Sequence, residues 1–314
     1  MFNRKQIKAN ARFVLRRSYS TGLAVIFLTI VIYMGISMAC SFIGGGLSVA
    51  INYASGAFMS SGIDDPEMLQ IISFAVMEAV MLAGMVFFLL PATVGISNFF
   101  ISAREQTNPV TAEYFSYGIK TCYSNKLKAM FTTYLIIWLW ALLTAIPVAA
   151  GALLTYITND ENWMLLVSLC PFFAIPSYIA TYRYRMVPFI LANNGNITGK
   201  RARELSGVMT DGNKWKLFVM DLSFLGWLLL GMLVCYVGMI FVMPYIMAAN
   251  AEAYTCLKTE AIQTKNATDE TELPPLRNPA VFAQIPAVMA ENTEAAEAAV
   301  DAEEAEAPAD PENI

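Results

Sequence analysis

Apolar residues in this chain come in long runs, and the charged residues gather in the short intervals between them. An apolar run of about 18 residues or more is long enough to cross a bilayer as a helix. The first extends from Thr21 to Ile43 with no charged residue, and the triple glycine Gly44–Gly46 predicts its end. The second extends from Pro66 to Ser102. Asp65 offers an oxygen to the free amides at its start, and Pro66 takes the first helical position, where a missing N–H costs nothing. At 1.5 Å per residue this run is roughly 55 Å long against a ~30 Å hydrocarbon core, so it must tilt, protrude or break, with Pro91 the predicted bend. A third run covers Ala129–Ile157 and a fourth Trp163–Tyr182, with the polar Thr158–Asn162 predicting a short turn between them. The last, Leu217–Leu257, is too long for one crossing. Divided near Tyr236–Gly238, it gives a hairpin of two helices.

The basic residues test this division, because lysine and arginine are retained on the cytoplasmic side of short loops. All 20 Lys and Arg fall on one face of a six-span arrangement, whereas Asp64, Asp65, Glu67, Asp160 and Glu161 fall on the other. The expected fold is therefore all-α: a polytopic transmembrane helical bundle of about six spans, with both ends in the cytoplasm. Composition agrees, since 57% hydrophobic residues, 14% charged residues and a mean hydropathy of +0.51 lie far from a soluble domain. The first span exceeds a signal-peptide h-region, and Cys40 behind Ser37-Met38-Ala39 is a poor lipoprotein cleavage site, so this helix is expected to stay. Three regions follow: a basic amphipathic segment 1–20, a transmembrane domain 21–257 and an acidic tail 258–314.

Histidine is absent, which removes the commonest general base and the usual zinc nitrogen ligand. The five cysteines are scattered, with no CxxC pair, and read as small apolar filler. No phosphate-cradling or hydrolase-elbow motif is present. An enzyme is disfavoured, and neither cofactor nor metal is expected.

Three segments have the pattern of amphipathic helices at the membrane surface. Asn3–Ser18 sets Ile7, Ala11, Val14 and Leu15 at helical spacing, with Arg4, Lys5, Lys8, Arg12 and Arg16 over the remainder. The stretch after Asn108-Pro109 holds Tyr114, Phe115, Tyr117 and Ile119, rings suited either to the interface or to packing beneath the bundle. The third begins near Thr198, carries Ala202, Leu205, Val208 and Met209 as its apolar stripe, and stops at Gly212. Anionic lipid headgroups are the expected partners of the basic groups. Nucleic acid is not expected, because the net charge is −5 and the basic clusters hug the spans.

Four stretches carry a family resemblance: IPSYIATYRYRMVPFILANN from Ile175, RARELS from Arg201, GNKWKLFVMDLSFLGWLLLG from Gly212 and MPYIMAANAEAYTCL from Met243. In order and spacing, over roughly Ile96 to Leu257, the chain resembles the uncharacterised bacterial integral membrane proteins grouped as domain-of-unknown-function family nine-seventy-five. The resemblance implies a six-helix membrane protein in a bacterial cytoplasmic membrane, distantly similar to the membrane domain of some glycerophosphodiester phosphodiesterases. It implies no activity. The chain departs from the pattern in its Thr158–Leu169 region and in its tail, which holds 13 of the 25 acidic residues and is expected to stay solvated away from the bundle. Leu273-Pro274-Pro275-Leu276 is the site of a possible polyproline turn.

Glu78 and Asp221 are read as the acids nearest the centres of the spans, and an intramembrane acid is a functional candidate by default. Asp221 has Arg183, Arg185 and Lys216 as possible ion-pair partners. Pro91, Pro147, Pro171, Pro176 and Pro244 either kink helices for packing or free carbonyls along a transport path. Gly226, Gly231 and Ser223 suit close helix contact, and Trp227 and Tyr245 complete the structural or transport candidates. Two roles compete: a non-enzymatic scaffold, accessory or regulator of a protein partner, and a small-solute or lipid permease.

The topology predicts an accessibility pattern in a chain whose native cysteines are replaced by serine. Asn159→Cys and Glu161→Cys are expected to react with an impermeant thiol reagent from outside, and Ala280→Cys only from the cytoplasmic side. The opposite pattern refutes both-ends-in.

Overall fold

The computed structural model describes residues 2–57, 66–105, 117–158, 161–163, 167–233, 237–264, 268 and 272–274. These residues form helices and turns, with no strand among them. In chain order they are α1 (Arg4–Ala57), α2 (Pro66–Gly84), a π-helical turn (Met85–Leu89), α3 (Leu90–Glu105) and α4 (Tyr123–Thr158). A 3₁₀ turn (Glu161–Trp163) follows, then α5 (Cys170–Phe173), α6 (Ile175–Tyr184), α7 (Val187–Asn193), α8 (Gly199–Thr210), α9 (Lys214–Leu233) and α10 (Val237–Gln263). Four helical stretches are long and apolar enough to cross a membrane: Arg4–Ala50, Ile71–Arg104, Tyr123–Thr158 and Lys214–Leu233. The all-α bundle expected from the hydropathy is the observed fold.

Local chemistry explains where the helices bend. α1 is kinked at Ser18 (φ −131°, ψ 19°), which divides the basic amphipathic segment from the first apolar run. Around the kink, the Ser18 hydroxyl donates to the Val14 carbonyl at 3.0 Å and Thr21 to the Ser18 carbonyl at 2.9 Å. The overlong second run stays helical from Pro66 to Glu105 but widens into a π turn just before Pro91. Pro91 cannot supply the N–H that the Phe87 carbonyl would receive four residues on, and the Tyr123 hydroxyl donates to that carbonyl at 2.7 Å instead. The start of α2 at Pro66 agrees with the sequence, while Asp65 lies outside the described residues.

Several expectations are corrected. Gly44–Gly46 do not end α1, which continues to Ala57. Glycine weakens a helix by about 1 kcal/mol but keeps its N–H, so the hydrogen-bond ladder continues. Gly44 also lies so close to α2 that a Cβ there would sit 3.1 Å from Met77 Cα. The fourth apolar run does not form one helix among the described residues. Pro171 and Pro176 each occupy the first turn of a new segment, giving the short α5 and α6.

The amphipathic stripes face protein. Ile7, Ala11, Val14 and Leu15 are buried, with α1 packed on α10, while Arg4, Lys5, Arg12 and Arg16 stay exposed. In α8, Ala202, Leu205 and Met209 are fully buried against α4, α6, α7 and α10, and only Val208 of the expected stripe is exposed. Thr198 caps α8 by accepting from the Arg201 amide, and Gly212 (φ +75°) ends the segment in the left-handed region that glycine permits. Of the aromatic segment after Pro109, residues 106–116 lie outside the described residues, and Gly118 in the helical turn at 117–120 lies against Pro91 and Gly95 of α3.

Buried side chains concentrate where the basic ends of the helices meet: Phe99 and Phe100 of α3, Met130 of α4, Ile190 of α7, Leu205 of α8 and Tyr254 of α10. Toward the other ends, large apolar side chains are exposed, including Phe42 at 70%, Trp138 at 59% and Leu233 at 84%. An apolar surface of this kind is suited to lipid. The sequence-based hairpin is also observed. α9 and α10 approach so closely that a Cβ on Gly231 would lie 2.8 Å from the Met239 nitrogen, whereas Gly226 has open space beside it.

The chain does not leave the bundle at Leu257. α10 runs on to Gln263, and Leu273 is fully buried, so the compact unit extends to Pro274. The acidic remainder of the tail, from 275, lies outside the described residues, as does the second half of the expected polyproline turn.

A Cβ on Gly118 would sit 2.6 Å from the Pro91 carbonyl oxygen, whereas a Cβ on Gly46 would meet nothing within 4 Å. Gly118→Ala is therefore expected to lower stability by about 1–3 kcal/mol, and Gly46→Ala to leave it level or slightly raised. Thermal unfolding in detergent reads both. Equal effects would remove the close-contact explanation.

Candidate functional site

The charged residues on the inward faces of the helices form two clusters joined by one turn of α10. On one side, Arg185, at the end of α6, forms a bidentate pair with Asp221 of α9. Its Nη2 lies 2.7 Å from Asp221 Oδ1, and the same nitrogen donates to Asn250 Oδ1 at 2.7 Å. The Tyr182 hydroxyl donates to Asp221 Oδ2 at 2.8 Å, and the Arg185 guanidinium lies 5.5 Å from the centre of the Tyr182 ring. On the other side, Glu252 lies 2.8 Å from Arg104 Nε of α3, with both side chains over 90% buried, and Asn10 of α1 hydrogen-bonds the same carboxylate.

Of the three partners considered for Asp221, the structure selects Arg185. Lys216 donates to Asn213 Oδ1 at 2.8 Å, and the Arg183 guanidinium packs beside Gly207, with its Nε 3.2 Å from where a Cβ would lie. The other sequence candidates do not join the cluster. Glu78 is exposed on α2 and Trp227 is 57% exposed on α9. The Ser223 hydroxyl donates to the Met220 carbonyl of its own helix. Tyr245 packs edge-on against Phe224 at 5.2 Å.

Carbonyls near the prolines are met by side chains. Pro244 lacks the N–H that the Ile240 carbonyl of α10 would receive, and the next carbonyl, Phe241, accepts from the Tyr19 hydroxyl at 3.1 Å. In the turn before Pro147, Thr144 shares a 2.8 Å hydrogen bond with Ser177, which ties α4 to α6.

Two important groups were missed by sequence reasoning. Glu252 lies inside the predicted sixth span and is far more buried than Asp221 or Glu78; an acid in MAANAEAYTCL was the available signal. Lys126, counted only for topology, is fully buried. Its Nζ donates to the Tyr117 carbonyl at 2.8 Å and lies 3.4 Å from the centre of the Tyr117 ring. Burial holds the Tyr117 phenol above its ordinary pKa.

A polar cavity of about 290 Å³ opens beside the Arg104–Glu252 pair, between the start of α1 and the end of α10, lined by Gln6, Asn10, Thr255, Thr259 and Glu260 among others. Another of the same volume lies between α1 and the π turn, and its lining, including Ile36, Cys40, Met81 and Phe88, is almost wholly apolar. Among the described residues, no group of three His, Cys, Asp or Glu is placed to hold a metal, and Cys40, Cys122, Cys170 and Cys256 are free thiols.

Removing one member of a buried ion pair strands the other, which costs about 3–5 kcal/mol when both are enclosed and less when the pair is partly exposed. Glu252→Gln is thus expected to destabilise more than Asp221→Asn, whose loss should be roughly 1–3 kcal/mol, and Glu78→Gln to do little. In thermal unfolding, Asp221→Asn combined with Arg185→Gln should cost less than the sum of the singles, whereas Asp221→Asn with Arg183→Gln should be additive. Additivity at 185 and 221 would exclude the pair.

Comparison with known proteins adds a family. No curated protein and no solved structure matches the chain. The family model described as protein of unknown function (DUF975) matches residues 1–261, which contain both ion pairs and all ten helices but the last two residues of α10. The chain belongs to that family.

Proposed function

We propose that this protein is a non-enzymatic, multi-pass membrane protein that scaffolds, assists or regulates a protein partner, with both termini on the cytoplasmic side of a bacterial cell membrane. The observation that carries this reading is the placement of polar groups. The described ion pairs sit at the basic ends of the helices, while the apolar stretches beyond them expose large hydrocarbon side chains and their disturbed carbonyls are capped by Tyr19 and Tyr123. Such an arrangement favours a fixed framework over a polar path. The exposed Arg4, Lys5, Arg12 and Arg16 favour anionic headgroups as lipid partners through charge, since the apolar stripe beside them is occupied by protein.

The polar cavity favours a second reading, small-solute transport, because the enclosed Arg104–Glu252 pair stands at its wall. Purification of the intact chain in nanodiscs, with mass spectrometry of what accompanies it, separates the two when combined with flux measurements in proteoliposomes. A protein partner at constant ratio, without solute flux, is the expected result. Flux abolished by Glu252→Gln in a chain that remains folded would overturn it in favour of transport.

A further inference from the structure

Residues 272–274 lie in a cleft between the end of α7, α8 and α10. Arg201 of α8 grips the Glu272 carboxylate with two hydrogen bonds, Nε to Oε1 at 2.7 Å and Nη2 to Oε2 at 3.0 Å. Asn194 Nδ2 donates to the Glu272 carbonyl at 2.9 Å. Leu273 is fully buried. The Pro274 carbonyl accepts from Lys258 Nζ of α10 at 2.5 Å, and the amide of Asn193 bridges the two, 3.2 Å from that carbonyl and 3.3 Å from Nζ.

Each contact reads a different property of the segment. Asn194, Lys258 and Asn193 hold main-chain carbonyls, which any peptide offers. The Arg201 fork reads a carboxylate, and the enclosure of Leu273 reads a branched apolar side chain. Recognition divided between main-chain groups and side chains is one way proteins bind short peptides. The receptor side chains Asn193, Asn194, Arg201 and Lys258 all lie within the family-matched residues 1–261, whereas the segment they hold lies outside them. The shared domain thus builds the whole cleft, and this chain's own extension fills it.

We propose that this cleft is a peptide-docking site for a Glu-Leu-Pro segment, occupied in cis by Glu272–Pro274 and open to exchange with a partner chain that carries the same acid-apolar-proline sequence. The proposal deepens the accessory reading by giving the partner's chemistry, and it rests on that reading for its role, although occupancy of the cleft is measured without it. Seven residues separate Thr264, at the end of the helical segment, from Glu272. A tether this short holds the cis segment at an effective concentration on the order of millimolar, so a competing peptide meets a site already filled.

The test uses the full chain in nanodiscs and a fluorescent peptide of residues 266–277, NATDETELPPLR. A chain carrying Glu272→Ala and Leu273→Asp, with its own segment disabled, is expected to bind the peptide roughly tenfold or more tightly than the unaltered chain. Peptide with the same two changes should not bind, and adding Arg201→Ala to the disabled chain should weaken binding by about tenfold or more. Equal binding to the disabled and unaltered chains, or equal binding of the altered peptide, overturns the proposal. So does a disabled chain that cannot fold, because the segment is then a fixed part of the core. Partner capture and flux read the accessory role separately, so a failed titration leaves that role standing and a measured flux leaves the cleft standing.

Discussion

A charge carried into a helical bundle within a membrane must find its counter-charge and its remaining hydrogen bonds in the protein, because lipid supplies neither. One turn of α10 carries most of that burden here. Asp221 takes two hydrogen bonds from Arg185, and Asn250 takes another from the same guanidinium. Two residues on, Glu252 points to Arg104 and Asn10. Positions two apart on a helix lie about 200° around its axis, so this turn faces both ways. It thereby fixes α6 and α9 on one side and α1 and α3 on the other. The ion pairs are weak evidence for net stability. Their consequence is register, since sliding α10 by one turn would break the Arg104–Glu252 pair and the Arg185–Asn250 hydrogen bond together.

Backbone groups meet the same constraint at the prolines. A helix kinked by proline leaves a carbonyl without its amide, and in hydrocarbon that carbonyl costs several kcal/mol unless something donates to it. At Phe87, whose amide partner would be Pro91, the donor is the Tyr123 hydroxyl, and beside Pro244 the Phe241 carbonyl accepts from the Tyr19 hydroxyl. Each site is therefore also a tertiary contact. The Tyr123 hydroxyl ties the start of α4 to the π turn, and the Tyr19 hydroxyl ties α1 to α10 beside Pro244.

Much of this fold was legible in the sequence because bilayer-spanning runs are written in composition, which needs no knowledge of packing. The start of α2, the disturbance of the helix beside Pro91 and the α9–α10 hairpin each followed from a local signal. Misreadings arose where the outcome depended on a neighbour. A stripe such as Ala202, Leu205 and Met209 has the same periodicity whether it meets lipid or another helix, and only the surrounding bundle decides. Arg185 was legible as one of three basic neighbours of Asp221 in the sequence, but the choice among them required the bend between α6 and α7. Glu252 was overlooked because its partner, Arg104, is 148 positions earlier in the chain, a separation no local pattern spans.

The basic residues show how one sequence feature serves several physical ends. All 20 fall on one predicted face, and counted as charges they are interchangeable signals of orientation. In the folded chain they divide by what they touch. Arg104 and Arg185 meet acids on other helices, and Lys126 is enclosed against Tyr117. Arg201 and Lys258 hold residues 272–274, while Arg4, Lys5 and Arg16 stay at the surface. Orientation tolerates the exchange of lysine for arginine, since it depends on charge alone. The fork of Arg201 on Glu272 does not, because a lysine ammonium cannot meet both carboxylate oxygens in one plane. Geometry, rather than the number of positive charges, therefore separates the residues that orient this protein from those that bind.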